Sequence, residues 1–234
     1  MGTGAFSEKI IFFAIRFVVY KLSIKIQNYQ NMPLHALIIF VKNPIEGNVK
    51  TRIAKTVGHP KAVEVYRELL NYTRTVAETL PANTCTRTVY YGDFINENDL
   101  WNGWSKSLQS EGDLGYRMKE AFREQLALGA KSVVIIGSDC LALHPKHLED
   151  AFTTLQSHDV VIGPSTDGGY YLLGMNTLHE ALFNGMPWSQ PTLLEKTMRV
   201  LDSQSLPYHL LEPLTDIDEW EDYLDAKAAY SQPS

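Results

Sequence analysis

The stretch 45–53 reads Ile-Glu-Gly-Asn-Val-Lys-Thr-Arg-Ile and directly follows the apolar run 36–41. Pro44 and Gly47 break the run and let the backbone turn, while Lys50 offers a compact ammonium and Arg52 a planar fork for phosphate oxygens. At the exit of a buried strand, this is where open α/β sheets hold phosphorylated ligands. The spacing is not that of a glycine-wrapped phosphate loop, because Gly-x-x-Lys-Thr-Arg lacks a second glycine beside the lysine. A helix start carrying surface basic residues is the other reading of the same stretch.

Four more stretches could carry chemistry. Asp139 follows Val133-Val134-Ile135-Ile136, a run so apolar that it must be a buried strand, so its carboxylate emerges at the same sheet edge as Lys50. There it could hold Mg²⁺ or Mn²⁺ against phosphates, or merely cap the following turn. In Gly163-Pro164-Ser165-Thr166-Asp167-Gly168-Gly169-Tyr170-Tyr171, the paired glycines allow close backbone approach to a ligand and the tyrosines could pack on a sugar or base. Asp-Gly-Gly is equally a tight turn. Asp216 and Asp218 precede the last helical stretch. Asp218, with Glu221 three residues on, fits a reciprocal helix cap, which leaves Asp216 free to join Asp139 as a second metal ligand. Finally, 112–118 opens a helix. It brings Arg117 and backbone amides toward a nucleotide, or is simply an N-capped helix start.

The elements that must position these residues alternate. Strands are expected at 36–42, 86–91, 132–136, 159–162, 170–174 and 208–211, with 170–174 a candidate for antiparallel pairing. Helices are expected at 60–80, 116–128, 145–156, 193–201 and 219–229. Such alternation builds a parallel sheet with crossover helices, an α/β fold. The polar stretch 96–112 reads as a loop or short helix that Trp101 and Trp104 clip down.

Composition limits the partners. With 44% hydrophobic and 21% charged residues the chain is globular, and a net charge of -6 excludes a broad basic face for nucleic acid, whereas a small anion needs only a few cations. Cys85 and Cys140 have neither zinc spacing nor a disulfide framework, which favours a reducing cytoplasm. The stretch 6–26 is apolar and aromatic, but Arg16, Lys21 and Lys25 interrupt it. It is read as part of an extension, 1–31, outside a single domain at 32–234. A helical stripe at Ile10, Phe13, Phe17, Tyr20 and Ile24 leaves surface association with a membrane open, though not favoured.

Taken in order, these motifs resemble a known family. Val41-Lys42-Asn43-Pro44, Gly47 and Lys50-Thr51-Arg52 come first, then Gly112-Asp113-Leu114-Gly115 with Arg117-Met118. Gly137-Ser138-Asp139-Cys140, the 163–174 stretch and Asp216-Ile217-Asp218 follow. The pattern, spread over about residues 34–229, is similar to the DUF2064 family of candidate glycosyltransferases. That family lies in the nucleotide-diphospho-sugar transferase (GT-A) superfamily, near the phospholactate and molybdenum-cofactor guanylyltransferases. The resemblance implies a Rossmann-like three-layer α/β/α sandwich with a mostly parallel central sheet and a nucleotide over the first loop. It implies phosphate or nucleotide contacts from Lys42, Gly47, Lys50, Arg52, Asp113, Gly115 and Arg117, and a metal, Mg²⁺ or Mn²⁺, on Asp139 with Asp216. Lys50, Asp139 and Asp167 would be catalytic, and Asp167, Gly168, Gly169 and Tyr170 would meet substrate. Leu141 departs from the pattern, standing where a proline commonly follows the Asp-Cys pair. The expected activity is transfer from a nucleotide or nucleotide-sugar donor to a small-molecule acceptor. The open choices are sugar transfer, nucleotidyl transfer, or nucleotide binding without catalysis.

Overall fold

The computed structural model describes residues 34–230. The expected extension 1–31, with its stripe at 10–24, lies outside the described residues. Seven strands form one sheet: β1 (His35–Val41), β2 (Cys85–Tyr91), β3 (Ser105–Leu108), β4 (Ser132–Ile136), β5 (Val160–Pro164), β6 (Tyr170–Met175) and β7 (Tyr208–Leu210). The helices are α1 (Thr51–Val57), α2 (His59–Glu78), α3 (Leu114–Ala127), α4 (Pro145–Thr154), α5 (Leu193–Ser203) and α6 (Trp220–Tyr230), with a 3₁₀ turn at Glu180–Leu182. The strand order is β3-β2-β1-β4-β6-β5-β7.

Alternation along the strands sorts the core into two layers, because successive side chains leave opposite faces of a sheet. Leu37, Ile39 and Val41 of β1, with Val134 and Ile136 of β4, meet α1, α2, α4 and α6. Ala36 and Ile38, with Val133 and Ile135, meet α3 and α5 on the other side. β1 and β4 are thus buried on both faces, which is why their sequences read as unbroken apolar runs rather than alternating ones. The sandwich expected from the motifs is the fold observed.

β1 pairs in parallel with both β2 and β4. β6 runs antiparallel to β4 and β5. The physical reason is local: the 165–169 turn is too short for a crossover, and a short turn can join only antiparallel neighbours. One element departs from the sequence expectation. Residues 105–108 form β3 rather than loop, an edge strand whose Ser-Lys-Ser-Leu sequence has no apolar alternation to reveal it. Trp101 and Trp104 do clip the preceding loop, with ring centroids 5.3 Å apart. Residues 51–57 form α1, the helix start that the second reading of the first loop expects, although it is too short for a periodic pattern to show. Among the described residues no helix is long and apolar enough to cross a membrane. Cys85 and Cys140 are both buried free thiols.

Candidate active site

The carboxyl ends of β1 and β4, the start of β6 and the β5–β6 turn border a cleft of about 700 Å³. Its first wall comes from the loop after β1. Lys42 donates its backbone N–H to the Tyr66 hydroxyl at 2.9 Å, which ties the strand end to α2. Asn43 binds Asp93 through its backbone N–H (3.0 Å) and its amide (2.9 Å), locking this loop to the one after β2. Gly47 turns the chain at φ +80°, and a side chain there would meet nothing within 4 Å. The positive φ is what requires a glycine there, and the space a side chain would take is open.

Lys50 caps α1 from the left-handed region, φ 45°, which is costly for a residue with a Cβ. What holds it is its ammonium. Nζ donates to the Ile217 carbonyl at 2.7 Å and lies 3.2 Å from Asp139 Oδ1. The Lys50 side chain is only 7% exposed, against 45% for Asp139. An ammonium has three donors. With one donor given to the Ile217 carbonyl and Asp139 held as an ion pair, donor capacity is left for a ligand oxygen. Arg52 is placed differently: it is 61% exposed and pairs with Asp218 at 3.1 Å. Such a surface pair is weak enough to be exchanged for phosphate.

Asp139 stands where the β4 reading put it, and its backbone carbonyl accepts the Ile217 N–H at 2.8 Å. This bond brings the 216–218 stretch to the end of β4. Burial, then the negative charges of Asp139 and Asp167, raise the Asp216 carboxyl from 3.8 to about 7, while Lys50 opposes the shift. Asp167 faces the cleft from the β5–β6 turn and accepts the Gly169 N–H at 2.9 Å and the Ser165 hydroxyl. The tight-turn reading and the cleft reading therefore both apply to it. Burial pushes the Cys140 thiol up to about 12, so it is no nucleophile here.

Among the described residues no group of three or more His, Cys, Asp or Glu is arranged to hold a metal alone. Asp139 and Asp216 still suit a hard divalent ion. Mg²⁺ takes one or two carboxylates and completes its shell with water and substrate phosphates. A pair of carboxylates that resist sharing negative charge is the environment such a cation relieves.

Several expected contacts are placed otherwise. Asp113 is the N-cap of α3, accepting the Tyr116 N–H at 2.8 Å, and does not line the cleft. Gly115 and Gly168 also stay outside the lining. A Cβ on Gly115 would fall 2.2 Å from the Trp188 indole, and one on Gly168 would fall 2.0 Å from the Pro191 carbonyl. Both glycines make room for protein rather than ligand. The capping role expected of Asp218 with Glu221 belongs to Asp222, whose Oδ2 accepts the N–H groups of Asp218 (3.0 Å) and Glu219 (2.7 Å). The helix begins at Trp220, one residue later than read, and that shift moves the reciprocal position from Glu221 to Asp222. Arg117 does reach the cleft, held by the Gly112 carbonyl at 2.9 Å, and Lys42, Gly169 and Tyr170 line it as expected. Reading the sequence alone missed Tyr66, Ser138, Gln109 and Trp188, which also line the cleft. Tyr66 looked like one more core position of a periodic helix, yet its hydroxyl lies 3.3 Å from Ser138 Oγ.

Comparison with known proteins agrees with this architecture. Residues 75–190 match the family model DUF2064, described as an uncharacterized protein conserved in bacteria. The family read from the motifs is the family matched. The DUF2064 segment contains Arg117, Asp139 and Asp167, while Lys50 and Asp216 flank it. A solved structure of a candidate nucleotide-diphospho-sugar transferase from Desulfovibrio desulfuricans G20 is 28% identical. It superposes with a TM-score of 0.77 over 86% of this chain and 90% of its own. The inositol-1-phosphate CTP transferase from T. maritima is 11% identical, with a TM-score of 0.53 over 86% and 98% of the two chains. Rv0371C from Mycobacterium tuberculosis H37Rv, solved in complex with manganese, is 13% identical, with a TM-score of 0.52 over 83% and 97%. The last two share the fold. A comparison with curated proteins finds no match.

Proposed function

We propose that this chain is a divalent-metal-assisted transferase that takes a sugar from a nucleotide-diphospho-sugar. The observation that carries the reading is one juxtaposition: the buried Lys50 ammonium, the Asp139 carboxylate and Asp216 meet at the carboxyl edge of the sheet. The DUF2064 match and the likeness to the Desulfovibrio protein support it.

In this reading the remaining donor capacity of Lys50 Nζ binds a phosphate oxygen of the donor, the ammonium being fixed in place by Ile217 and Asp139. Arg52 exchanges Asp218 for phosphate, and Arg117 closes the opposite side. A preorganised cation of this kind stabilises charge that grows on the leaving diphosphate without reorganising as it forms. A divalent ion on Asp139 and Asp216 would neutralise further phosphate charge. Asp167, exposed at the β5–β6 turn and lining the cleft with Gly169 and Tyr170, would contact the sugar or accept a proton from an acceptor hydroxyl.

The same cleft would serve nucleotidyl transfer. A phosphorylated acceptor would then attack the α-phosphorus of a nucleoside triphosphate and release pyrophosphate, with Lys50 in the same role. The fold shared with the CTP transferase favours keeping this second reading. A product assay with Mn²⁺ separates them. Sugar transfer releases a nucleoside diphosphate from a nucleotide-sugar, and nucleotidyl transfer releases pyrophosphate from a triphosphate. Nucleotide binding with neither product under any donor would leave a non-catalytic nucleotide-binding protein.

A further inference from the structure

The two faces of the sheet supply unlike walls to the cleft. The Lys50, Asp139 and Asp216 cluster joins the α1 and α6 side, while the opposite wall is built from the start of α3 and from residues 188–189, ahead of α5. Three observations single out this second wall. Trp188 sits directly over Gly115, where any Cβ would fall 2.2–2.4 Å from the indole. It also stands edge-on to Tyr170, centroids 6.4 Å apart, and is stacked on Phe183 at 6.3 Å. The next residue, Ser189, lines the cleft with φ +60°, a left-handed conformation that costs a non-glycine residue free energy. The segment is fastened behind: Leu194 donates its N–H to the Gly168 carbonyl at 2.9 Å, and Pro191 fills the space Gly168 leaves. Two glycines of separate motifs thus give up their side-chain space to seat one short segment. Strain kept in a cleft lining is characteristic of ligand-contacting backbone.

We infer that Trp188 and Ser189 form the subsite for the sugar ring of the donor, opposite the phosphate-binding cluster. An indole offers a rigid apolar surface that suits the C–H face of a pyranose, and the adjacent hydroxyl suits its polar edge. Phosphates, by contrast, gain nothing from the indole, and on this wall it is the Arg117 guanidinium that suits them. Trp188 is then a specificity-determining residue that tells a nucleotide-sugar from a bare nucleotide. The inference rests on the proposed reading of the site, and it extends to nucleotidyl transfer where the phosphorylated acceptor is a sugar phosphate, whose product is a nucleotide-sugar.

The test is calorimetric titration, with Mn²⁺, of a panel of nucleoside diphosphates and their glucose conjugates into the full chain and its Trp188→Ala, Trp188→Phe and Ser189→Gly variants. Trp188→Ala should weaken the conjugate by about tenfold while leaving the diphosphate alone within about twofold, the scale of losing one aromatic contact. Trp188→Phe should recover most of the loss, and Ser189→Gly, which relieves the backbone, should raise the melting temperature yet weaken the conjugate. Equal losses for conjugate and diphosphate, or no loss for either, would overturn the assignment while leaving the nucleotide site standing. Failure of the unaltered chain to bind any nucleotide would remove both.

Discussion

Lys50 is the residue on which the site turns, because one side chain ties the first loop to β4 and to the 216–218 stretch. Replacing it with alanine removes a charge-assisted contact, so diphosphate affinity should fall by about 1.5–3 kcal/mol while nucleoside affinity changes much less. Equal losses for the two ligands, read by calorimetry, would mark Lys50 as purely structural. Asp216 carries a prediction of its own. Its folded-state carboxyl titrates near 7, against 3.8 ordinarily, so between these values the folded chain binds the proton more tightly than the unfolded one. Stability therefore falls as pH rises from about 4 to 7, and above 7 the folded chain bears the full penalty of a charged Asp216. Asp216→Asn should then melt higher than the unaltered chain at pH 8, by on the order of 1–3 kcal/mol, with the difference shrinking toward pH 4. Melting curves across that range check it; a difference that grows as pH falls would contradict the environment assigned to Asp216. At this scale the sequence revealed residue types well and partners poorly. That Lys50, Asp139 and Asp167 line one cleft was legible because cation, carboxylate and turn residues followed apolar runs. The Asp218 partnership with Arg52 was not, since 166 residues separate the pair and only the fold joins them.

Elements were legible in proportion to their burial. β4 was bounded correctly at 132–136 because every one of its residues is buried, whereas β3 was missed because none of its four is. The last helix shows what one residue of displacement does. Its start at Trp220 transfers the cap from the expected Asp218 with Glu221 to Asp222. Asp222→Ala should accordingly cost about 1 kcal/mol of stability and leave Mn²⁺ and nucleotide binding intact. Asp218→Ala should cost less, because its pair with Arg52 is exposed. Denaturant melts of the two variants decide the matter, and a larger loss in Asp218→Ala would restore the cap to it. Gly115 and Gly168, unlike the cleft-lining Gly169, are expected from the motifs to meet a ligand. They are openings for Trp188 and Pro191, a role that sequence cannot show because the partner segment lies on a different part of the chain.

Across the whole molecule, the two-layer core and the single antiparallel strand put the chemistry at one edge of the sheet. The class of fold was legible from alternating helical and strand patterns, and the order of motifs pointed to the family whose model matches residues 75–190. The division at residue 32 remains a proposal: a chain starting at Met32 should keep the melting temperature and nucleotide affinity of the full chain, and a drop in either would place part of 1–31 within the fold. The central claim is that Asp139 and Lys50 make a metal-assisted site for a nucleoside diphosphate. It is tested most directly by calorimetric titration of nucleotide with and without Mn²⁺ into the full chain and into Asp139→Ala, with melting curves of both to confirm the fold. Nucleotide affinity should rise with Mn²⁺ in the unaltered chain and be indifferent to Mn²⁺ in the variant, at nearly unchanged melting temperature. The same Mn²⁺-dependent gain in both proteins would take Asp139 out of the site and contradict the account.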